Sequence, residues 1–231
     1  MTQHEFKTYD SKDKLAHEFA NDVALILSNA VEKQGYATIA VSGGSTPKPF
    51  FEALREKDLP WKHITVTLAD ERFVPPTSDD STEKLVREYL LHKEAQFLSL
   101  APLHAEETLE QATLRLNEEL SRLPSLFDAV VLGMGGDGHT ASLFPNHPDL
   151  RHGLESDAMC IAVHNSPKPP AQRISLTANA IMDAKYVFLH ITGEDKREVY
   201  YKAAETDDAQ QYPISAFIHQ KERPLVTYWA A

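Results

Sequence analysis

The chain has 231 residues, 42% apolar and 25% charged, with a formal net charge of −11. That composition is ordinary for a globular α/β protein. The charge excludes broad electrostatic binding to nucleic acid or to an anionic membrane, because phosphates are repelled at long range.

The first element in chain order is a helix. Leu15, Phe19, Val23, Leu27 and Val31 recur every four residues and mark one helix face. Asp10 or Ser11 caps its start and Gly35 its end. Ala37 to Val41 then reads as a buried strand, followed by a helix with Thr46 as cap and Pro47 in the first position. Ile64 to Leu68 is a second strand, and Ser81–Leu91 and Glu107–Leu123 are helical. Ala129–Leu132, Cys160–Val163 and Tyr186–Ile191 are further strands; a helix follows Gly193, and Leu225–Trp229 closes the sheet. Strands alternating with helices predict a single-domain, Rossmann-like α/β fold over residues 1–231, with a mainly parallel sheet and helices on both faces. The proline-rich patches at Pro75-Pro76 and Pro167–Pro170 read as loops within that domain.

The single cysteine, Cys160, permits no internal disulfide and sits in an apolar run, so it reads as a buried strand residue in a cytoplasmic protein. Met1 to Glu5 lacks the basic-then-apolar pattern of a leader. No run reaches the roughly 18–20 apolar residues of a membrane helix. The histidines show no metal-ligand spacing. His190 lies inside an apolar strand and reads as a satisfied core residue. Lys168, in the proline-rich loop, reads as exposed, and whether it swings into the cleft is open at this point.

In such folds ligands bind outside the carboxyl ends of the strands. Four polar segments stand there: Ser42-Gly43-Gly44-Ser45-Thr46-Pro47, Asp70-Glu71-Arg72, Gly133 to His139, and Gly193 to Lys196. In the first, glycines admit an anion to the backbone, hydroxyls donate to it, and the following helix directs its positive end there. A plain strand-to-helix turn with a good cap fits the same residues. Gly133-Met134-Gly135-Gly136-Asp137-Gly138-His139 matches Gly-x-Gly-x-x-Gly, but Asp137 opposes a pyrophosphate and Pro145 interrupts the helix a dinucleotide site needs. Asp137 and His139 read better as a site pair: a histidine that exchanges a proton near neutral pH and a carboxylate that orients it.

These blocks, with Thr140 to Pro145, Pro170 to Thr177 and Gly193 to Lys196, resemble the glucosamine-6-phosphate isomerase/6-phosphogluconolactonase family. Arg72 and Ser142-Leu143-Phe144-Pro145 resemble its lactonase branch more than its deaminases. The resemblance implies hydrolysis of 6-phospho-D-glucono-1,5-lactone in the oxidative pentose phosphate pathway. His139 would activate water and Asp137 would orient a reactant or the imidazole. Ser42, Gly43, Gly44, Ser45, Thr46, Arg72, Arg173 and Lys196 would hold the phosphate. Asp70 would be structural or bind hydroxyls. No metal or organic cofactor is implied, and the partner is a phosphorylated sugar lactone bound by a monomer or weak homo-oligomer. Two other readings stay open: a glucosamine-6-phosphate deaminase and a non-catalytic sugar-phosphate-binding module.

Overall fold

The computed structural model describes residues 5–104, 106–122, 127–221 and 223–231. The leader reading at Met1 to His4 and the helix end at Leu123 fall outside them. Among the described residues, seven parallel strands form the main sheet: β1 (Glu5–Tyr9), β2 (Ala37–Val41), β3 (Ile64–Leu68), β5 (Ser99–Leu100), β6 (Ala129–Leu132), β9 (Tyr186–Thr192) and β10 (Leu225–Ala230). Their order is β1-β10-β9-β6-β2-β3-β5, and every neighbouring pair is parallel. A second sheet of three antiparallel strands contains β4 (Asp70–Arg72), β8 (Arg173–Leu176) and β7 (Cys160–Val163), in that order.

The predicted mainly parallel α/β sheet is therefore present, with differences in membership. Cys160–Val163 joins the small antiparallel sheet, the two edges are the unpredicted strands β1 and β5, and β10 lies one strand inside the β1 edge. A buried four-residue run carries no signal of which sheet it enters.

Helix α1 (Lys12–Gln34) starts where Ser11 Oγ accepts from Lys14 N at 3.1 Å and stops at Gly35, whose φ is 85°. Both caps match the sequence reading. Its buried stripe of Leu15, Phe19, Val23 and Leu27 packs on the sheet. Phe19 is the hub: its ring centroid lies 4.5 Å from Phe50, 5.4 Å from Phe188 and 4.3 Å from Tyr228. Burying each such ring contributes roughly 1.5–3 kcal/mol. Helix α2 (Lys48–Arg55) covers the same face through Phe50 and Phe51. Its cap is Pro47, one residue later than predicted, with no side-chain hydrogen bond. Helix α3 (Thr82–Tyr89) follows β4, and α4 (Leu109–Ser121) lies over Thr38, Thr65 and Thr67 on the other face. The shorter α5 (Leu150–Glu155) and α6 (Ala178–Met182) flank the small sheet, and α7 (Glu194–Ala204) and α8 (Ser215–Ile218) complete the chain. No helix among the described residues is long and apolar enough to cross a membrane.

The chain leaves β2 toward β3 on one side and returns through β6 on the other, so β2 and β6 border the topological switch point. Their loops splay apart there and open a crevice.

Candidate active site

A cleft of about 260 Å³ opens at that crevice. Its walls include Ser42, Gly43, Gly44, Ser45, Thr46, Asp70, Arg72, Arg173, Lys196 and His139. The fold thus brings together residues up to 154 positions apart in sequence. Asp137 does not line the cleft; it stands behind His139.

The Ser42–Thr46 segment is held from below and from the side. Ser42 N donates to Val131 O at 3.0 Å, which ties the loop to β6. A Cβ on Gly43 would come within 2.5 Å of Thr82 Oγ1, so the first residue of α3 presses directly on this loop. Asp70 is buried, and its Oδ2 accepts from Ser142 Oγ at 2.7 Å. Arg72 reaches over the same end, donating from Nη1 to Asp80 O at 2.7 Å.

Arg173 is 4% exposed and mostly engaged with backbone. Nη2 donates to Lys168 O and Pro169 O, each at 3.1 Å, while Nη1 lies 3.9 Å from Asp70 Oδ2. The guanidinium therefore shapes the 168–170 loop as well as facing the cleft. Arg173→Lys keeps a charge but loses the planar fork. We expect roughly tenfold effects on both KM and kcat, because a loosened loop also misplaces Lys168. Steady-state kinetics in which KM alone changed would assign Arg173 to ligand contact only.

The Gly133–His139 loop folds back on itself. Gly135 N donates to His139 O at 2.9 Å and Thr140 Oγ1 to Gly133 O at 2.8 Å. A Cβ on Gly135 would overlap the His139 ring and Asp137 Oδ1, which is why glycine stands there. The result sets His139 Nδ1 2.5 Å from Asp137 Oδ1. The ring packs on Phe144, with centroids 4.7 Å apart.

Lys168 is half-exposed, and its side chain also reaches the Asp137–His139 pair. Its Nζ lies 3.0 Å from Asp137 Oδ2 and 3.2 Å from His139 Nδ1. Burial works to raise the Asp137 carboxyl, but the hydrogen bond and charge of His139, with Lys168, outweigh it and hold the group well below the usual carboxylate range. An ionised Asp137 only accepts hydrogen bonds, so Nδ1 carries the hydrogen and Nε2 is the basic nitrogen. Nothing in the sequence marks Lys168, which lies 29 residues from His139; Arg173 brings its loop there.

His190 also departs from its reading as a satisfied core residue. It is buried, but Nδ1 has no hydrogen-bond partner among the described residues, and the ring lines the cleft. Burial, with the charge of Lys196 adding to it, pushes the imidazole down to about 3. In the unfolded chain it titrates near ~6.5, so the unfolded state binds one more proton between those values. The stability at stake is intact above pH ~6.5 and is lost as pH falls toward 3, by up to about 1.4 kcal/mol per pH unit. Denaturant melts from pH 7 to 4 should give His190→Leu a shallower acid slope than the parent; equal slopes would refute a neutral buried His190.

Lys196 has its pKa lowered by burial; Asp195 opposes that shift and Lys168 adds to it. Such an ammonium gains from an anion placed beside it. Cys160 is buried, and its thiol is pushed up to about 12 by that burial, which suits packing and not nucleophilic chemistry. Among the described residues no group of three or more His, Cys, Asp or Glu is placed to hold a metal ion.

The profile of the glucosamine-6-phosphate isomerases/6-phosphogluconolactonase family matches residues 10–229. The chain belongs to this family. It is 39% identical over 227 residues to the 6-phosphogluconolactonase of Rhizobium meliloti (strain 1021), covering 96% of this chain and 97% of the relative. It is 38% identical over 224 residues to that of Neisseria meningitidis serogroup A, covering 92% and 93%. The crystal structure of a 6-phosphogluconolactonase from Shewanella baltica OS155 superposes with a TM-score of 0.96 at 39% identity, covering 100% of this chain and 99% of that one. The α/β fold expected from the sequence is thus the fold of this family. Ser142, which entered the sequence reading only as part of the lactonase-like block, proves to be the residue that binds Asp70.

Proposed function

We propose that this chain hydrolyses 6-phospho-D-glucono-1,5-lactone to 6-phospho-D-gluconate, the second step of the oxidative pentose phosphate pathway. One observation carries the reading: Asp137 holds His139 by Nδ1 on a cleft that also contains a hydroxyl- and glycine-rich helix entry. The 6-phosphogluconolactonases related at 38–39% identity over nearly the full chain support it. In the reaction, His139 Nε2 takes a proton from water as its oxygen bonds to the lactone carbonyl carbon. Backbone amides of the glycine-rich loops stabilise the tetrahedral oxyanion. The imidazolium, steadied by Asp137, returns the proton to the ring oxygen as the carbon–oxygen bond breaks. The new carboxylic acid then ionises and releases a proton to solvent.

Ser42–Thr46, Arg72, Arg173 and Lys196 bind the phosphate in this scheme. Asp70 positions hydroxyls. A deaminase needs a carboxylate base to remove a proton from carbon, and Asp70 Oδ2 here is bound by Ser142. The groups assigned to the phosphate and His139 line one crevice, so we read residues 1–231 as one sugar-phosphate-binding hydrolase domain, acting as a monomer or weak homo-oligomer. A cytoplasmic setting fits the unpaired, buried Cys160.

The test is direct. Fresh lactone supplied near neutral pH should release acid well above the spontaneous rate, while glucosamine 6-phosphate should release no ammonia. Ammonia without faster lactone opening would overturn the reading in favour of the deaminase. Neither activity would favour the binding module.

A further inference from the structure

Position 190 lies in the middle of an apolar strand, with Phe188 two residues before it on the same face of β9. The ring sits in an aromatic nest, 5.3 Å from Phe19 and 6.0 Å from Phe50 between centroids. An aliphatic side chain at this position would bury no polar atom. Instead the chain places an imidazole whose Nδ1 has no partner among the described residues. A buried polar atom left so is destabilising and calls for a reason.

The surroundings supply one. The ring forms part of the cleft wall beside Ser45, Thr46 and Lys196. It also lines a second cavity, of about 230 Å³, with Lys12, Ser45, Thr46 and Thr192. That second cavity touches neither His139 nor Arg173, so His190 marks the end of the cleft remote from the water-activating pair. At this end the amino terminus of α2, the Lys196 ammonium and two hydroxyl side chains converge, an arrangement that favours an anion.

We propose that His190 is a specificity-determining residue of the phosphate subsite, a hydrogen-bond partner that makes the cleft prefer a phosphorylated lactone over an unphosphorylated one. The inference rests on the proposed lactonase reading and deepens it. A neutral imidazole suits this place. It adds a directed hydrogen bond without a second buried cation beside Lys196, and the bound phosphate satisfies the ring. An apolar residue at 190 leaves the subsite without the donor on this wall, so the phosphate relies on Lys196 and the Ser42–Thr46 loop.

Two measurements test it. First, kinetics of the full chain are compared for His190→Leu, His190→Gln and the parent, using 6-phosphogluconolactone and unphosphorylated glucono-1,5-lactone. His190→Leu should raise KM for the phosphorylated lactone about tenfold and leave kcat/KM for the unphosphorylated one within twofold, with His190→Gln recovering part of the loss. Equal losses on both lactones would show a merely structural role, and an unchanged KM would refute any contact. Second, inorganic phosphate is titrated into the parent protein while the His190 ring resonances are followed by NMR. They should shift saturably, and no shift would overturn the proposal even where a variant fails to fold. If the parent opened no lactone, the function proposed above would fall, while this titration would still decide whether His190 reads phosphate.

Discussion

Turnover falls by about two to four orders of magnitude when His139 is replaced by Ala, while the affinity for 6-phosphogluconate stays within a few-fold. The size follows from what general base catalysis contributes at a positioned imidazole. The direction follows from the geometry: Nδ1 is occupied by Asp137 at 2.5 Å, so proton exchange with water falls to Nε2 alone. Binding should survive because the groups proposed to hold the phosphate lie on other segments, the loops after β2 and β9 and the small sheet with β4 and β8. A pH-stat assay gives the rate, and calorimetry with 6-phosphogluconate gives the affinity. Turnover within fivefold of the parent would remove His139 as the base. A matched loss of product affinity would make it a binding residue instead.

Glu71→Ala should cost roughly 3–5 kcal/mol of stability, although the residue never meets the substrate in this scheme. Glu71 is 1% exposed. Its Oε1 accepts from Arg72 N and Thr82 N, both at 2.8 Å; its Oε2 accepts from Glu83 N at 2.8 Å and Ser81 Oγ at 3.1 Å. It thereby satisfies the free amides that open α3, next to the cap that Ser81 itself provides. Removing it strands several buried donors at once. For a chain of this length the loss lowers Tm by about 6–20 °C. KM should rise as well, because Thr82 is the residue packed on Gly43 of the loop after β2. Glu71→Gln should recover only part, since its amide turns hydrogens toward hydrogens. Thermal melts decide it, and a loss below about 1 kcal/mol would show that water satisfies these donors.

Asp70-Glu71-Arg72 thus divides its labour in a way its sequence does not announce. Asp70 and Arg72 face the cleft, as strand alternation puts residues i and i+2 on one side. Glu71 points the other way and builds the support. The sequence placed all three at a strand end, but only the packing of α3 shows why the middle carboxylate is buried.

The long periodic elements were legible from the chain alone. The stripe of α1 and the apolar runs of β2, β3, β6, β9 and β10 recur at their predicted places, because burial against one large sheet imposes their pattern residue by residue. The edge strand β1 was missed: Glu5-Phe6-Lys7-Thr8-Tyr9 is half solvated, and its polar residues hide the alternation. Strand β8 was visible only as a block of family resemblance. Its antiparallel pairing with β4 matches Asp70 to Ser175 and Arg72 to Arg173, segments far apart in the chain, and such pairing leaves no local trace.

For the site the same division holds. The loops following strands β2, β6 and β9 stand out in the sequence because ligands in parallel sheets gather at the strand ends, and the fold brings Ser42–Thr46, His139 and Lys196 from them to one cleft. Two neighbours of that chemistry do not stand out. Lys168 reaches Asp137 from a loop whose carbonyls Arg173 grips, and His190 Nδ1 lacks a partner among the described residues where α1 and α2 close over the ring with Phe19 and Phe50. Periodicity and strand-end position are local properties that each segment carries within itself. The partner of a buried charge, or the lack of one, depends on which distant side chains the finished fold sets against it.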